Sequence, residues 1–255
     1  MTAPALPLAA PRPADPPAAP RPGRVIALHL LAIPLAFATA ATLLRQSGLD
    51  TALSARFFDP ASGHFLVSGS GWAEAIGHRA LKSAVLALWL LLIAAAVAAR
   101  WLPALRPHQR LLWTTVAAMG LGPALVTVLK DINSHACPWD LVQFGGSAEP
   151  SARWFVPRIE AGRCFPSGHA AAGFSLVAPA LALQVLGRRR LAHGAFALTL
   201  VAGAVFGGVR LVQGAHFMSH NLWSAAVDWF VAALVFLPLL RRGTAPATPA
   251  QGHRP

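Results

Sequence analysis

The sequence contains repeated apolar runs, each long enough to cross a lipid bilayer. Six such runs cover residues 25–44, 80–99, 111–129, 168–186, 191–212 and 217–240. A helix needs about 20 apolar residues to cross the hydrocarbon core, and a transmembrane helix satisfies its own backbone hydrogen bonds there. The runs therefore predict an all-α polytopic membrane protein, with six transmembrane helices in one bundle.

Composition and charge agree with a membrane protein. Hydrophobic residues make up 55% of the chain and charged residues 12%, whereas a soluble domain has about 25% charged residues. The net charge of +12 does not predict nucleic-acid binding, because the basic residues form short clusters between apolar runs rather than one stripe. The Ala- and Pro-rich residues 1–23 and the short segment 243–255 predict disordered cytoplasmic tails around one domain, 24–242.

The basic residues between the runs predict the orientation. The connections on one side carry twelve Lys and Arg residues against one acid, Asp15, while the other side mixes nine with seven acids. The positive-inside rule places the densely basic side and both termini in the cytoplasm. The two longer loops, 45–79 and 130–167, are then predicted to face the periplasm of a bacterial inner membrane.

Polar side chains gather at three places on the predicted periplasmic face. They are Lys130 at the end of the third run, Pro-Ser-Gly-His at 166–169, and Arg210, His216 and His220 around the junction of the last two runs. A helix that begins at Gly168 directs its positive end and its first amides towards the same face. Cations, imidazoles and helix amides at one interface predict a phosphate pocket.

The order of these residues resembles the signature of the type 2 phosphatidic acid phosphatase family, which is related to bacterial acid phosphatases and vanadium haloperoxidases. That signature is written KxxxxxxRP, PSGH and SRxxxxxHxxxD. Residues 166–169 match the second motif, Lys130 and Pro138 match the first, and Arg210 and His216 match the third. The resemblance covers about residues 78–225. The chain has other residues at the family's Arg, Ser and Asp positions: Cys137, Val209 and His220.

The resemblance implies a phosphatase that needs no metal or other cofactor. His216 would be the nucleophile that forms a phosphohistidine, and His169 would be the general acid and base. The phosphoryl oxygens would be held by two cations and two backbone amides: Lys130, Arg210, Ser167 and Gly168.

The resemblance also implies a lipid-borne phosphate monoester or diphosphate as the substrate and the bilayer as the other partner. Lipid A, undecaprenyl diphosphate, phosphatidic acid and phosphatidylglycerophosphate all fit this class. The choice among them, the choice between hydrolysis and transfer of the phosphoryl group to another lipid, and the oligomeric state stay open.

The departures from the signature raise the question of what replaces the missing side chains. His220 lies one helical turn from His216 and is a candidate to orient it. Three carboxylates are further candidates: Asp131, Asp140 and Asp228. Two arginines of the second loop are candidates to replace the phosphate contact that is missing at position 137: Arg158 and Arg163.

The chain has two cysteines, Cys137 and Cys164, one beside each of the first two motifs. In an oxidising periplasm such a pair predicts a disulfide. Closure of the intervening loop would stabilise the fold by ~3.5 kcal/mol in the chain-entropy model. We expect the bond to hold the first motif against the second.

Two other classes of protein remain as alternatives. A metal-dependent lipid hydrolase would use His216 and His220, an i, i+4 pair, together with Asp131 or His135. A non-catalytic bundle would bind or transport lipids. The polar groups gather at one membrane face, whereas carriers bind their substrates near the midplane, which argues against transport.

Overall fold

A computed structural model describes residues 22–67, 81–151 and 153–242. Most of the two predicted tails and the first residue of the second predicted span lie outside these ranges. The helices are α1 Pro22–Ala27, α2 Ile33–Gln46, α3 Leu49–Ala55, α4 Leu81–Ala98, α5 Gln109–Asp131, α6 Gly168–Phe174, α7 Val177–Val185, α8 Arg189–Val212 and α9 Met218–Arg242. Short 3₁₀ turns cover Arg106–His108, Pro138–Asp140, Val142–Phe144 and Arg158–Glu160.

Among the described residues, five helical stretches are long and apolar enough to cross a membrane. They are Gly23–Gln46, Arg106–Asp131, Gly168–Val185, Arg189–Val212 and Met218–Arg241. The second predicted span corresponds to a shorter apolar helix, Lys82–Ala98. The chain is thus a mainly helical membrane protein, and a total of six spans stays a prediction.

Proline residues modify two of the predicted helices. A π-helical segment, Leu28–Ala32, joins α1 to α2 just before Pro34, where the proline has no N–H for a regular α-helical bond. The helix predicted over 168–186 is two helices, with a turn at Ser175 between α6 and α7. Pro179 explains this break, because its ring crowds the Ser175 carbonyl and it has no N–H to donate to that carbonyl.

A small strand pair departs from the all-α prediction. Strands β1 Phe58–Asp59 and β2 His64–Phe65 pair in antiparallel register, with Phe58 opposite Phe65. The ring of Phe65 also lies 5.4 Å from the ring of Phe144, measured between centroids. Aromatic packing therefore holds this strand pair against the loop that contains Phe144.

Helix α9 is the centre of the bundle. It packs against α2 and α5 and also contacts α6, α7 and α8. The main core is formed by buried apolar residues of α5, α7 and α9, among them Met119, Leu181, Trp229 and Phe236. This arrangement surrounds the start of α9, next to His216, with the helices that carry the other predicted site residues.

Two glycines allow α6 and α8 to approach closely. A Cβ atom on Gly173 would lie 2.7 Å from the backbone nitrogen of Gly203, closer than real Cβ contacts. Because α6 carries His169 and α8 carries Arg210, this crossing sets the separation of two predicted site residues.

We expect Gly173→Ala to lower the free energy of unfolding by about 1–3 kcal/mol, because the added methyl group forces two helix backbones apart. Gly208→Ala is the matched control, since a Cβ atom there meets nothing within 4 Å and alanine is the better helix former. The measurement is the thermal unfolding midpoint of each variant in detergent. Equal midpoints for the two variants would contradict the close-packing explanation.

Candidate active site

The Pro-Ser-Gly-His sequence forms the turn that begins α6. Ser167 is buried, and its Oγ accepts a hydrogen bond from the Ala170 N–H at 3.4 Å as the helix cap. The N–H of Ser167 donates to the His220 carbonyl at 3.1 Å. This contact corrects the prediction that the Ser167 amide holds phosphate, because that N–H is already engaged within the protein. The amides of Gly168 and His169 belong to the first helical turn, where the helix itself supplies no acceptor.

The loop between α8 and α9 presents His216. The chain leaves α8 through Gly214, whose φ of +72° is a left-handed conformation that favours glycine. The N–H groups of Ala215 and His216 both donate to the Arg210 carbonyl, at 2.8 and 3.3 Å. The loop is thereby folded back onto the end of α8, and the His216 side chain is only 3% exposed.

A cavity of about 260 Å³ lies beside the start of α6. Its lining residues are Lys82, Thr127, Lys130, Asp131, Arg163, Gly168, His169, Ala172 and Phe206. Nζ of Lys130 lies close to the backbone at Gly168, since a Cβ atom on that glycine would be 3.8 Å from it. Three cationic side chains and one acid line this cavity, which suits an anionic ligand such as phosphate.

Arg210 is held at the end of α8 by two contacts. Its Nη1 donates to Oε1 of Gln213 at 2.8 Å, and its guanidinium carbon lies 5.5 Å from the ring centroid of Trp139. Trp139 follows Pro138 of the first motif, so this stacking brings the first and third motifs together.

The two predicted catalytic imidazoles face each other, with ring centroids 6.3 Å apart for His169 and His216. Burial lowers the pKa of His216 well below 6.5, and the nearby His220, Lys130 and Arg210 side chains add to this effect. His216 is therefore neutral at pH 7, the state in which an imidazole nitrogen acts as a nucleophile. Lys130 and His169 thus line one cavity, the His216 ring lies near His169, and the Lys130 and Arg210 charges are close enough to act on His216.

The predicted disulfide is confirmed. Cys137 and Cys164 are bonded, with their Cα atoms 5.1 Å apart, and Cys164 is fully buried. Sγ of Cys164 lies 3.4 Å from Nδ1 of His216. The bond therefore joins the first two motifs at the rear of the predicted nucleophile.

His220 lies beside His216 but has its own polar partner. The two ring centroids are 6.0 Å apart in a T-shaped arrangement. The His220 ring hydrogen-bonds the backbone of Cys164 and is surrounded by the rings of Phe165 and Phe217. His220 thus packs beside His216 and ties α9 to the segment that carries the disulfide.

Asp131, another candidate to orient His216, is engaged with two arginines. Its two carboxylate oxygens lie 3.1 Å from Nη2 of Arg158 and 3.1 Å from Nη2 of Arg163. Arg163 also lines the cavity and has a left-handed φ of +59°. Of the two arginines predicted to replace the missing one, Arg163 is therefore the residue placed next to Lys130.

The remaining two candidate carboxylates, Asp140 and Asp228, have other contacts. Asp140 accepts a hydrogen bond from the Cys137 N–H at 3.3 Å and caps a 3₁₀ turn. Asp228 is buried within α9 against Gly122 of α5, where a Cβ atom would be 3.2 Å from the Asp228 backbone. Asp140 therefore supports the disulfide segment, and Asp228 belongs to the helix packing.

A second cavity, of about 230 Å³, is lined by His220 together with Arg45 and Asp50, two residues that no sequence motif marks. Asp50 accepts hydrogen bonds from the N–H, at 2.9 Å, and the hydroxyl of Ser219 and so caps α9. Burial raises the pKa of Asp50, while these hydrogen bonds and Arg45 oppose the rise. No motif marks Asp50 or Arg45, and the only signal was their charge after the first apolar run.

Arg45 connects the end of α2 to the loop between α5 and α6. Its Nη1 donates to Nε2 of His135 at 2.9 Å, and its guanidinium carbon lies 4.6 Å from the ring centroid of Trp154. Burial, followed by the charge of Arg45, lowers the pKa of His135 to about 4. His135 is thus a neutral acceptor that anchors this loop.

Among the described residues, the donors that lie near His216 and His220 do not form the metal site that the alternative predicts. In the part of the chain that the structure describes, one group of potential metal donors includes the two histidines: Cys164, His216 and His220. Cys164 is in a disulfide, so its sulfur is not the thiolate that binds zinc. The arrangement thus does not match the predicted site with Asp131 or His135.

Membrane-length helices surround a cavity that is lined by three cations and His169, and the His216 ring lies near His169. This combination suits a membrane-embedded enzyme that acts on phosphate esters. Residues 111–243 match the PAP2 superfamily, so the chain belongs to this family, as its motifs predicted. Members of this superfamily are phosphatases, which makes the chain a phosphoric ester hydrolase in general terms. No curated protein and no solved structure matches the chain.

Proposed function

We propose that this protein is an integral-membrane phosphatase that hydrolyses a lipid-linked phosphate monoester or diphosphate through a phosphohistidine intermediate. The observation that carries the proposal is the position of His216. It is buried, neutral at pH 7, and faces His169 beside a cavity lined by cations. A site that only binds phosphate needs cations, whereas two neighbouring imidazoles, one of them buried and neutral, also supply what a phosphohistidine mechanism requires.

In the first step, Nε2 of His216 attacks phosphorus, and the bond from phosphorus to the leaving oxygen breaks. His169 gives its proton to that oxygen, so the lipid leaves as an alcohol or as a monophosphate. In the second step, neutral His169 takes a proton from water as the water oxygen attacks phosphorus. The P–N bond breaks, inorganic phosphate leaves, and both histidines return to their starting states.

The charge that develops on the phosphoryl oxygens is held by fixed groups of the protein. Lys130 lies beside Gly168, whose N–H is in the first turn of α6, and Arg210 is held by Gln213. Such preorganised donors stabilise the transition state without a metal ion. Arg163 lines the same cavity and adds a third positive side chain.

A membrane lipid is the substrate class that best suits the position of the cavity. Lys130 lies one residue before the end of α5, Arg210 near the end of α8, and His169 at the start of α6. All three lie at helix ends, the depth at which a lipid headgroup phosphate sits. Lipid A, undecaprenyl diphosphate, phosphatidic acid and phosphatidylglycerophosphate have such a phosphate.

We further propose that the active site faces the periplasm of a bacterial inner membrane. The disulfide between Cys137 and Cys164 is on the same side of the bundle as the cavity, and disulfides persist in oxidising compartments. The dense basic clusters lie in the opposite connections, as cytoplasmic loops require. Residues 24–242 would form one domain of six spans, and α4 would be the second span.

The test is phosphate release from a panel of these four lipids by the purified protein in detergent. We expect at least one lipid to be hydrolysed, with no loss of rate in EDTA and strong inhibition by vanadate, which mimics the five-coordinate phosphorus. Loss of activity in EDTA would favour the metal-dependent alternative. Absence of phosphate release from every lipid in the panel would contradict the proposed function.

A further inference from the structure

The rear nitrogen of His216 faces a sulfur atom. Nδ1 of His216 lies 3.4 Å from Sγ of Cys164, and the same sulfur lies 2.9 Å from the carbonyl oxygen of Ala215. Both side chains are buried, with 3% exposure for His216 and none for Cys164. The contact is therefore between two packed side chains and is not shared with bulk water.

A nucleophilic imidazole needs a partner on its rear nitrogen. That partner fixes the proton there, which leaves the lone pair on the nitrogen that attacks phosphorus. The family signature has an Asp four residues after His216, and this chain has His220 there. The His220 ring forms a hydrogen bond with the backbone of Cys164.

The chemistry of the sulfur sets the direction of this contact. Cys164 is bonded to Cys137, so its sulfur has no hydrogen and acts only as a weak acceptor. In a hydrogen bond between the two atoms, Nδ1 of His216 must therefore be the donor. Among the described residues, the charged or titratable groups that act on His216 are His220, Lys130, Arg210 and His169.

The sulfur is also held in place from both ends of the disulfide. The Cys164 N–H donates to the His135 carbonyl at 3.3 Å, and the Cys137 N–H donates to Oδ2 of Asp140 at 3.3 Å. An acceptor that is fixed in this way orients an imidazole better than one on a free side chain, because no rotamer freedom is lost when the hydrogen bond forms.

We infer that the Cys137–Cys164 disulfide is the positioning partner of the nucleophile. Cys164 Sγ accepts a hydrogen bond from the Nδ1–H of His216 and keeps the lone pair on Nε2. This inference rests on the proposed function, because it assigns a role within the same phosphoryl transfer. Cys164 is a positioning residue and does not touch the substrate.

The test compares two double variants that both lack the disulfide: Cys137→Ala with Cys164→Ala, and Cys137→Ala with Cys164→Ser. The loop is released equally in both, but only the serine variant keeps an acceptor at position 164. We expect the serine variant to have a kcat about tenfold higher than the alanine variant, the effect of one hydrogen bond, with the same KM. Equal kcat values for the serine and alanine variants would overturn the inference, even if both variants were slower than the wild-type protein.

A second measurement uses the wild-type protein and does not depend on the folding of the double variants. Nitrogen-15 NMR of histidine-labelled protein reports which ring nitrogen carries the proton, and His216→Gln identifies the His216 signals. We expect the proton on Nδ1, and a proton on Nε2 would overturn the inference. The positioning role of the disulfide and the phosphatase function can fail separately. The tautomer is measured without turnover, so it tests the positioning role alone. Equal kcat values of two active variants would likewise contradict the positioning role and leave the phosphatase function intact.

Discussion

Replacing His216 by alanine is expected to reduce phosphate release by about four orders of magnitude or more, the scale seen when a covalent nucleophile is removed. The reason is that Lys130, Arg210 and the α6 amides still bind the phosphoryl group in this variant, but no neutral imidazole remains to attack it. The measurement is the initial rate on the best lipid of the panel. The binding of vanadate to the variant should persist in weakened form, since most of its contacts are retained.

The intermediate gives a more direct test of the same residue. A phosphohistidine is stable in alkali and labile in acid, so the wild-type protein quenched in alkali during turnover should retain labelled phosphate. His216→Ala should retain none. His193→Ala is the matched control, because His193 is exposed in α8 and lies outside the site; it should show wild-type rates and labelling. Labelled phosphate on His216→Ala would contradict the assignment of the nucleophile.

The bundle was predictable from the sequence because apolar length is a local signal. Residues 191–212 and 217–240 were predicted as spans, and the structure has helices Arg189–Val212 and Met218–Arg242 in their place. The break at Ser175 was missed, although Pro179 is visible in the sequence. A proline in a membrane helix is tolerated in many ways, and the surrounding packing decides whether the helix bends or divides.

The proximity of the predicted site residues follows from their motifs, but the contacts of their side chains do not. Lys130, His169, Arg210 and His216 stand in motifs with fixed spacing, and the structure brings them together. From the sequence, the candidate partners of the His216 rear nitrogen are His220 and three carboxylates: Asp131, Asp140 and Asp228. The structure has Cys164 there, since the disulfide that was predicted for stability also passes behind the ring. Motif spacing predicts which residues come close together, but it does not predict which atom of a loop contacts the His216 ring.

The contacts of Arg45 and Asp50 could not be predicted from the sequence either. Asp50 caps α9 from 169 residues away in the chain, and Arg45 reaches His135 from 90 residues away. No periodicity or motif links such positions, so their contacts depend on the tertiary fold. The Ser167 amide was misassigned for a related reason, because its acceptor is the His220 carbonyl of another helix.

Replacing His169 by glutamine is expected to lower the rate of lipid phosphate hydrolysis by about 10²–10⁴-fold, the usual contribution of a general acid or base. In the proposed mechanism His169 acts twice, first as an acid for the leaving oxygen and then as a base for water. A lipid alcohol leaves poorly without a proton, so the first step on the natural substrate class should become slow. The measurement is single-turnover phosphate transfer from the best lipid of the panel.

A substrate with a good leaving group separates the two roles of His169. Nitrophenolate leaves without a proton, so on p-nitrophenyl phosphate the His169→Gln variant should transfer the phosphoryl group to His216 at nearly the wild-type rate. Water attack on the phosphohistidine still needs the base. We therefore expect a burst of nitrophenolate equal to the amount of enzyme, followed by slow turnover and accumulation of the labelled intermediate. His193→Gln should show no such change, and an equal loss of the burst and of steady-state turnover in His169→Gln would show that His169 is not the acid.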